Sequence, residues 1–307
     1  MVRRELVAAA DLDPVRLDRF LAAQLPGLGR RRVSALISDG QVELDGRRAT
    51  KSELVRPGAR VHVLLPSELG AEQTLAGIPD MPLCVLLETE HLVVVDKPAG
   101  LASVALPGKA EPSLAAGLVA RYPEMRGVGY GAMDAGLLHR LDTGTSGLMI
   151  AARSAAAFSA LRHALAAEDI DKRYLALVPY RSGHERGQIE AALAPDPKNR
   201  RKIRVSDPDA RGARRALTRY RELAHGNTWA LLEVRAPRAY RHQVRVHLAH
   251  AGLPLAGDRL YGGEPVLDLG QRHALHAHYA AWRGGGGVAG FRVRIDPPPE
   301  FASLLAR

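Results

Sequence analysis

The chain of 307 residues is 46% hydrophobic and 5% aromatic, which suits two domains, one of them large enough to bury an aliphatic core. Its net charge of +10 favours a polyanionic partner, either a nucleic acid or an acidic membrane surface. The one cysteine, Cys84, excludes an internal disulfide and a cysteine-based metal site, and the apolar run around it predicts a core position.

The sequence carries no pattern typical of secretion or of a membrane span. Residues 1–5 lead into no long apolar segment, and apolar runs such as residues 92–95 are too short to cross a bilayer. We therefore expect a cytoplasmic protein that is not inserted in a membrane.

Two short helices and several small strands are predicted over residues 13–64. Asp13 is expected to cap the first helix, with Pro14 at its first helical position. Apolar residues then recur on one face of this helix, at Leu17, Phe20, Leu21 and Leu25. Three consecutive arginines are expected to open the second helix: Arg30, Arg31 and Arg32. Alternating residues predict short strands around residues 42–44 and 61–64.

This arrangement resembles an S4 RNA-binding domain. The matching positions are Arg16-Leu17-Asp18, Leu36-Ile37, Gly40, Val42, Gly46, Val55 and Pro57-Gly58. The resemblance implies that Arg30, Arg31 and Arg32 contact RNA phosphates, and a helix N-terminus favours anions as well. The alternative is a small packing or dimerisation domain with a solvated basic face. We predict that this domain spans residues 1–66 and that residues 67–80, rich in Gly and Pro, form a linker.

The predicted larger domain, residues 81–307, contains helices near residues 114–121 and 154–167 and a strand at residues 172–178. Between them, Asp142 stands among basic residues and a small-residue turn, with apolar residues on both sides. A carboxylate placed partly out of water ionises only with difficulty unless a cation or donor groups hold it. Taken alone, the segment is equally compatible with a loop whose Asp and Thr side chains bond their own backbone.

The full string His139-Arg140-Leu141-Asp142-Thr143-Gly144-Thr145-Ser146-Gly147-Leu148 resembles the active-site motif of the RluA-like family of pseudouridine synthases. Further segments agree with that family: Lys97-Pro98-Ala99-Gly100-Leu101, Lys172-Arg173-Tyr174-Leu175-Ala176, His242-Gln243-Val244-Arg245, the run 257–262, and Leu275-His276-Ala277. The resemblance implies that Asp142 is catalytic, that Tyr174 stacks on the target base and that Arg245 pairs with Asp142. The uridine would be bound by the remaining motif residues: His139, Arg140, Leu141, Thr145 and Leu275.

One segment departs from the family pattern. Where the family has Thr-Gly-Arg-Thr-His-Gln-Ile-Arg, this chain has Ala239 and Tyr240 in place of the Gly and the first Arg, and Arg241 in place of the second Thr. We expect altered contacts to the flanking nucleotides, with three residues still binding RNA: Arg241, His242 and Gln243. If residues 238–240 are extended, Arg238 shares a face with Tyr240 and restores the lost charge.

Residues 198–221 hold ten Lys or Arg and two Asp. The alternation on either side of a turn at residues 208–212 predicts a basic hairpin, and the alternative is a solvated charged face. A density of one sign this high favours a track for RNA phosphates, with Arg200, Arg201 and Lys202 as candidate contacts.

The family resemblance implies an α+β fold: a mixed, mainly antiparallel sheet with a small N-terminal S4 domain. It also implies RNA as the partner, with large-subunit ribosomal RNA ahead of transfer RNA, and we expect a monomer. Uridine isomerisation contains no redox, phosphoryl or hydride step, so we expect no cofactor, and the three histidines at 273, 276 and 278 lack the partners of a metal site. Two other functions compete: a catalytically degenerate RNA-binding protein, favoured by Tyr240, and a hydrolase that uses Asp142 and His139.

Overall fold

The structure is a computed structural model that describes residues 1–9, 13–25, 28, 30–65, 75–105, 111–210 and 212–307. The chain forms two compact units, one of residues 1–75 with 130–134 and the other of residues 76–129 with 135–307. Within these described ranges, none of the helices is both long and apolar enough to cross a membrane. Of the linker predicted at residues 67–80, residues 67–74 lie outside the described part of the chain.

The first unit is a small sheet with two helices. Its elements are β1 (Val2–Val7), β2 (Val15–Arg16), α1 (Leu17–Gln24), α2 (Arg30–Ser38), β3 (Val42–Leu44), β4 (Arg47–Arg48), β5 (Leu54–Val55) and β6 (Arg60–Leu65). Four strands pair in the order β1-β6-β3-β4, and β2 pairs with β5. The apolar faces of both helices meet the inward residues of β6 in one hydrophobic cluster, whose members include Leu17, Leu36 and Val63.

The predicted start of α1 is wrong. Residues Val15 and Arg16 pair with β5 as a short strand, and the backbone N–H of Leu17 donates to the Glu53 carbonyl at 2.8 Å. This strand pairing holds the chain extended up to Arg16, so the helix begins at Leu17 rather than at Pro14. The prediction also missed β1, which pairs along its whole length with β6.

The second unit is built on one ten-stranded sheet. Its elements are β7 (Cys84–Glu88), β8 (Leu92–Lys97), α3 (Leu114–Arg121), β9 (Ser146–Ala152), α4 (Ala155–Ala166), β10 (Asp171–Pro179), β11 (Arg186–Pro195), β12 (Ile203–Ser206), β13 (Arg214–His225), β14 (Trp229–Arg235), α5 (Gln243–His250), β15 (Leu275–Gly285), β16 (Val288–Arg294) and α6 (Pro299–Leu305). The strand order is β12-β11-β13-β14-β10-β15-β9-β8-β7, and β16 also pairs with β15. Ser113 and Ser154 cap α3 and α4 by accepting backbone N–H bonds.

The predicted fold class is confirmed. Neighbouring strands of this sheet are antiparallel except for β9 and β15, which run parallel where Ser146 and Gly147 meet His276 and Ala277. Helix α4 packs on the sheet through Phe158 and Leu161, in a cluster with Ile150 and Trp282. These pairings bring β10, β15 and β9 side by side at the centre of the sheet, where the candidate site forms.

Three further predictions are wrong. Cys84 is exposed, because it lies on β7, the last strand of the sheet order. The basic segment is not a hairpin, since β12 and β13 each pair with β11, which lies between them. Residues 238–240 are not extended, because Ala239 has a φ of +36° and turns the chain into the start of α5.

Candidate active site

The loop that carries Asp142 ends directly before β9 and is fixed by hydrogen bonds from Lys97, the last residue of β8, and from Ser103, which follows that strand. The Ser103 hydroxyl donates to the Leu141 carbonyl at 2.9 Å and accepts the Leu141 N–H at 3.1 Å. The buried ammonium of Lys97 donates to the carbonyls of Pro98 at 2.9 Å and Leu101 at 2.8 Å, with the Thr143 carbonyl at 3.4 Å. The contacts to Leu141 and Thr143 hold the loop backbone on either side of Asp142.

Arg245 lies between two carboxylates. Its Nη1 donates to Asp142 Oδ2 at 2.7 Å, while its Nε and Nη2 donate to the two oxygens of Asp258 at 2.7 and 2.8 Å. Side-chain exposure is 8% for Arg245 and 1% for Asp258, against 23% for Asp142. The two-point contact with Asp258 fixes the plane of the guanidinium, and the remaining edge points at Asp142.

This environment keeps Asp142 ionised. Burial raises the pKa of its carboxyl, but the nearby His242 and the charged, hydrogen-bonded Arg245 lower it more, so the net pKa falls below its usual value. For Arg245, burial lowers the pKa, and the hydrogen bonds and charges of Asp258 and Asp142 outweigh it, so its pKa is raised. At neutral pH the site therefore contains the ionised carboxylate of Asp142 in contact with the positively charged guanidinium of Arg245.

His242 places a second polar group beside Asp142. Its φ is +55°, which turns the ring toward the pocket just before α5 begins, and its Nε2 lies 3.6 Å from Asp142 Oδ1. Burial lowers the pKa of His242 to about 4, so the ring is neutral at pH 7.

The proton of His242 can be assigned from its neighbours. Its Nδ1 lies 2.7 Å from the Tyr261 hydroxyl, and that same oxygen accepts the backbone N–H of Ile203 at 2.9 Å. The Asp142 carboxylate can only accept, so a proton on Nε2 would face an acceptor, whereas a bare Nε2 would face the negative oxygen. We therefore assign the His242 proton to Nε2, with the Tyr261 hydroxyl donating to Nδ1.

A cavity of about 40 Å³ opens at Asp142. It is lined by Arg140, Leu141, Asp142, Thr145, Tyr174, Ala239, Tyr240, His242, Gln243, Val244, Arg245 and Leu275. Tyr174 and Leu275 come from the paired strands β10 and β15 and supply an aromatic and an aliphatic wall. Burial, with the charge of Asp142 adding to it, raises the pKa of Tyr174, so its phenol stays protonated. The sequence thus predicted most of the residues that meet here.

Other predicted residues lie elsewhere or are already engaged. Both ring nitrogens of His139 are buried without a hydrogen-bond partner among the described residues, and burial lowers its pKa to about 3. Thr145 lines the cavity, but its hydroxyl bonds His273 Nε2 at 2.7 Å. The Gln243 amide donates to the Leu217 carbonyl at 2.9 Å and accepts the Tyr240 N–H at 3.0 Å.

The candidate RNA-binding arginines lie in two places. Arg241 Nη2 donates to the Arg201 carbonyl at 2.8 Å, which ties the loop before β12 to the pocket. Arg200 and Arg201 are exposed in that loop and Lys202 is half-buried. In the first unit, Arg30 and Arg31 begin α2, and their side chains lie outside what the structure describes; Arg32 follows them and is exposed.

Three residues of the site were not predicted from the sequence: Asp258, Tyr261 and His273. The first two lie in the run 257–262, whose agreement with the family pattern was the available signal, although nothing in the pattern links Asp258 to Arg245. His273 was considered only as a metal ligand. Among the described residues, no group of three or more His, Cys, Asp or Glu is arranged to hold a metal.

Comparison with known proteins agrees with the geometry. A family profile described as RNA pseudouridylate synthase matches residues 91–250, and an S4 domain profile matches residues 15–61. The ribosomal large subunit pseudouridine synthase D of Xanthomonas campestris is 38% identical, with 94% of this chain and 87% of that protein covered. An RNA pseudouridine synthase of Chloroflexus aurantiacus is 39% identical, with 86% and 80% covered. The solved structure of human RNA pseudouridylate synthase domain containing 4 shares the fold, with a TM-score of 0.56 at 21% identity over 71% of this chain and 90% of that one.

Proposed function

The chain belongs to the RNA pseudouridylate synthase family, enzymes that isomerise uridine in RNA, and from this premise we propose that Asp142 is its catalytic residue. The observation that carries the proposal is the ion pair of 2.7 Å between Asp142 and Arg245 at the edge of an aromatic-walled cavity. This arrangement supplies an ionised carboxylate in a partly desolvated pocket. Tyr174 offers an aromatic ring on which a flat base can stack.

The reaction breaks the bond between C1′ of the ribose and N1 of uracil, turns the freed base and joins C1′ to C5. The C5 proton leaves and N1 gains a proton, so the isomerisation needs no electron acceptor and we propose no cofactor. Asp142 acts at the sugar, either as a nucleophile at C1′ or as a base at C2′. Arg245 keeps it ionised, and Tyr174 and Leu275 hold the base while it turns.

We further propose that the substrate is large-subunit ribosomal RNA, with transfer RNA as the second choice. Support comes from the net charge of +10, the S4 domain match and the ribosomal large subunit relative. A uridine inside a helix cannot reach a pocket of this kind, so it must be unpaired or flipped out. Exposed arginines such as Arg200 and Arg201 would offset that cost through phosphate contacts.

The test uses a large-subunit ribosomal RNA transcript labelled with tritium at uridine C5, because loss of the C5 proton releases the label. Asp142→Asn should abolish tritium release and leave RNA affinity within about twofold, since it removes one charge at one pocket. Asp169→Asn, at an exposed carboxylate after α4, removes the same charge as a matched control. Turnover by Asp142→Asn within tenfold of the control would contradict the assignment, and mapping the product identifies the modified uridine.

A further inference from the structure

A second cavity, of about 170 Å³, shares Tyr240 and Gln243 with the Asp142 pocket. It lies wholly within the second unit, between the start of α5, the end of α4 and strands β11 and β13. The roles proposed for uridine binding and isomerisation do not use it. Only the side chains of Tyr240 and Gln243 would separate a group bound there from a uridine in the Asp142 pocket. A nucleotide adjacent to the target uridine would reach the second cavity.

The wall that the two cavities share is flat and firmly packed. The Tyr240 ring packs against the cluster of Leu193, Ala216 and Val246. On β13, the guanidinium of Arg214 lies 5.4 Å from the centre of the same ring. Leu217 and Pro237 add apolar surface to the cavity. Unpaired RNA bases are commonly bound by stacking on aromatic rings and guanidinium planes, so these surfaces suit the face of a base.

The polar groups of the cavity carry both signs. Arg215 and Arg238 border it, and Arg238 donates to Glu168 at 3.0 Å. Glu190 lies on β11 opposite Leu217 of β13 and is exposed, and its carboxylate has no hydrogen bond or ion pair with another described residue. A free carboxylate beside an RNA backbone repels phosphates. It becomes favourable only when the ligand offers it N–H donors, as the exocyclic amino group of cytosine does to Glu or Asp.

We propose that this cavity binds the nucleotide next to the target uridine and selects a base with an exocyclic amino group, which donates to Glu190. Cytosine, adenine and guanine carry such a group and uracil does not. The proposal rests on the function proposed for the Asp142 pocket, and it adds a preference for sequence context that the pocket alone does not provide.

The test uses a fragment of the ribosomal RNA transcript around the uridine that the wild-type enzyme modifies, with each neighbouring nucleotide varied in turn through all four bases. At one of the two neighbouring positions, kcat/KM should be about tenfold lower with uracil than with cytosine, the size expected of one good base contact. Glu190→Ala should remove this difference. Glu190→Gln should raise the rate with a uracil neighbour, because its amide can donate to the uracil O4.

Glu264→Ala removes an exposed glutamate away from the cavity and should keep the wild-type preference. Equal kcat/KM with all neighbours in the wild-type enzyme, or an unchanged preference in Glu190→Ala, would overturn the subsite. Failure of the proposed function looks different, because then no RNA would release tritium even with Asp142 intact.

Discussion

Arg245 is the residue on which the two acidic groups of the site depend. A guanidinium offers donors along two edges, so it binds Asp258 at two points and still reaches Asp142. A lysine has one point charge and could not hold both carboxylates in one plane. Asp258 acts through Arg245 and does not face the cavity, which makes it a positioning residue.

Asp258→Asn should therefore slow the reaction without weakening substrate binding. The asparagine amide has an acceptor on one side only, so its NH2 group would face a guanidinium N–H where a carboxylate oxygen accepts now. Breaking a buried ion pair on one side costs about 3 kcal/mol of stability. We expect the single-turnover rate to fall at least tenfold and the RNA dissociation constant to stay within about twofold. Filter binding and tritium release on the same preparations separate the two effects, and an unchanged rate would mean that Arg245 needs no second carboxylate.

Tyr261→Phe should shift the acid side of the pH–rate profile. The Tyr261 hydroxyl donates to neutral His242, which favours the unprotonated ring, so its removal should raise the pKa of His242 above about 4. In the variant, part of His242 should then be protonated between pH 5 and pH 6, where the wild-type ring is neutral. The rate in that range should change, while the rate at pH 8 should be nearly preserved.

The nitrogen-15 NMR shifts of His242 should show its proton on Nε2 in the wild-type enzyme. In Tyr261→Phe they should show a mixture of tautomers. Tyr180→Phe, at a tyrosine stacked on His225 and outside the cavity, provides the control. Identical His242 spectra in all three proteins would contradict the tautomer assignment.

The place of Asp142 in the pocket was predictable because its neighbours along the chain form an extended motif, and Tyr174 and Arg245 lie in motifs of their own. Asp258 was not, because its role depends on Arg245 folding against it from another segment. Cys84 was misplaced for a related reason. Its apolar neighbours indicate a strand, but which strand ends a sheet is decided by pairing partners far away in the sequence.

At the scale of elements, the basic segment shows the same limit. Alternation correctly predicted strand residues on both sides of residues 208–212, but strand pairing places β11 between β12 and β13. As a result the loop before β12 is free to approach the pocket, where Arg241 binds its backbone. The arginine side chains of this loop are left available for phosphates.

Arg200→Gln with Arg201→Gln should weaken RNA binding through charge alone. Arg241 contacts their carbonyl oxygens and not their side chains, so the fold should be unaffected. Each lost phosphate contact should reduce the slope of log affinity against log salt by about 0.7–0.9. Arg162→Gln on α4, also exposed, is the comparison, and binding isotherms at four salt concentrations measure both. An unchanged slope would show that this loop does not contact RNA.

Lys97, at the end of β8, should make the free energy of unfolding depend on pH. Burial lowers its pKa from 10.5 to about 8 in the folded protein. Between pH 8 and pH 10 the unfolded chain therefore binds more protons, and stability rises with pH. Relative to Lys97→Met, the wild-type free energy of unfolding should gain on the order of 1–3 kcal/mol across this window. Denaturant titrations at several pH values measure the difference, which would vanish if Lys97 kept its proton.

At the scale of the whole molecule, the residues proposed for chemistry all lie in one unit, whereas candidate RNA contacts lie in both. Every residue that lines the Asp142 pocket belongs to the second unit, and the S4 domain match at residues 15–61 lies in the first. The boundary predicted at residue 66 remains a prediction, because residues 66–74 lie outside the described chain.

Replacing Arg30, Arg31 and Arg32 together by Gln should lower RNA affinity and flatten its salt dependence. The rate at saturating RNA should survive, since none of the three belongs to the pocket. Arg47→Gln with Arg56→Gln, two exposed arginines of the same unit, tests whether the position of the charges matters. A salt slope equal to that of wild type would assign α2 to some other contact.

The parallel pairing of β9 with β15 also determines when the site can exist during folding. Ser146 and His276 are joined across 130 residues, and Asp142 and Arg245 across 103. Contacts this distant in sequence require closure of long loops, which costs chain entropy and slows folding compared with hairpins. An intermediate with only its hairpins formed has no pocket. Recovery of activity after denaturation should therefore lag behind recovery of β-structure. The time at which activity returns would mark the formation of the last contacts between distant parts of the chain.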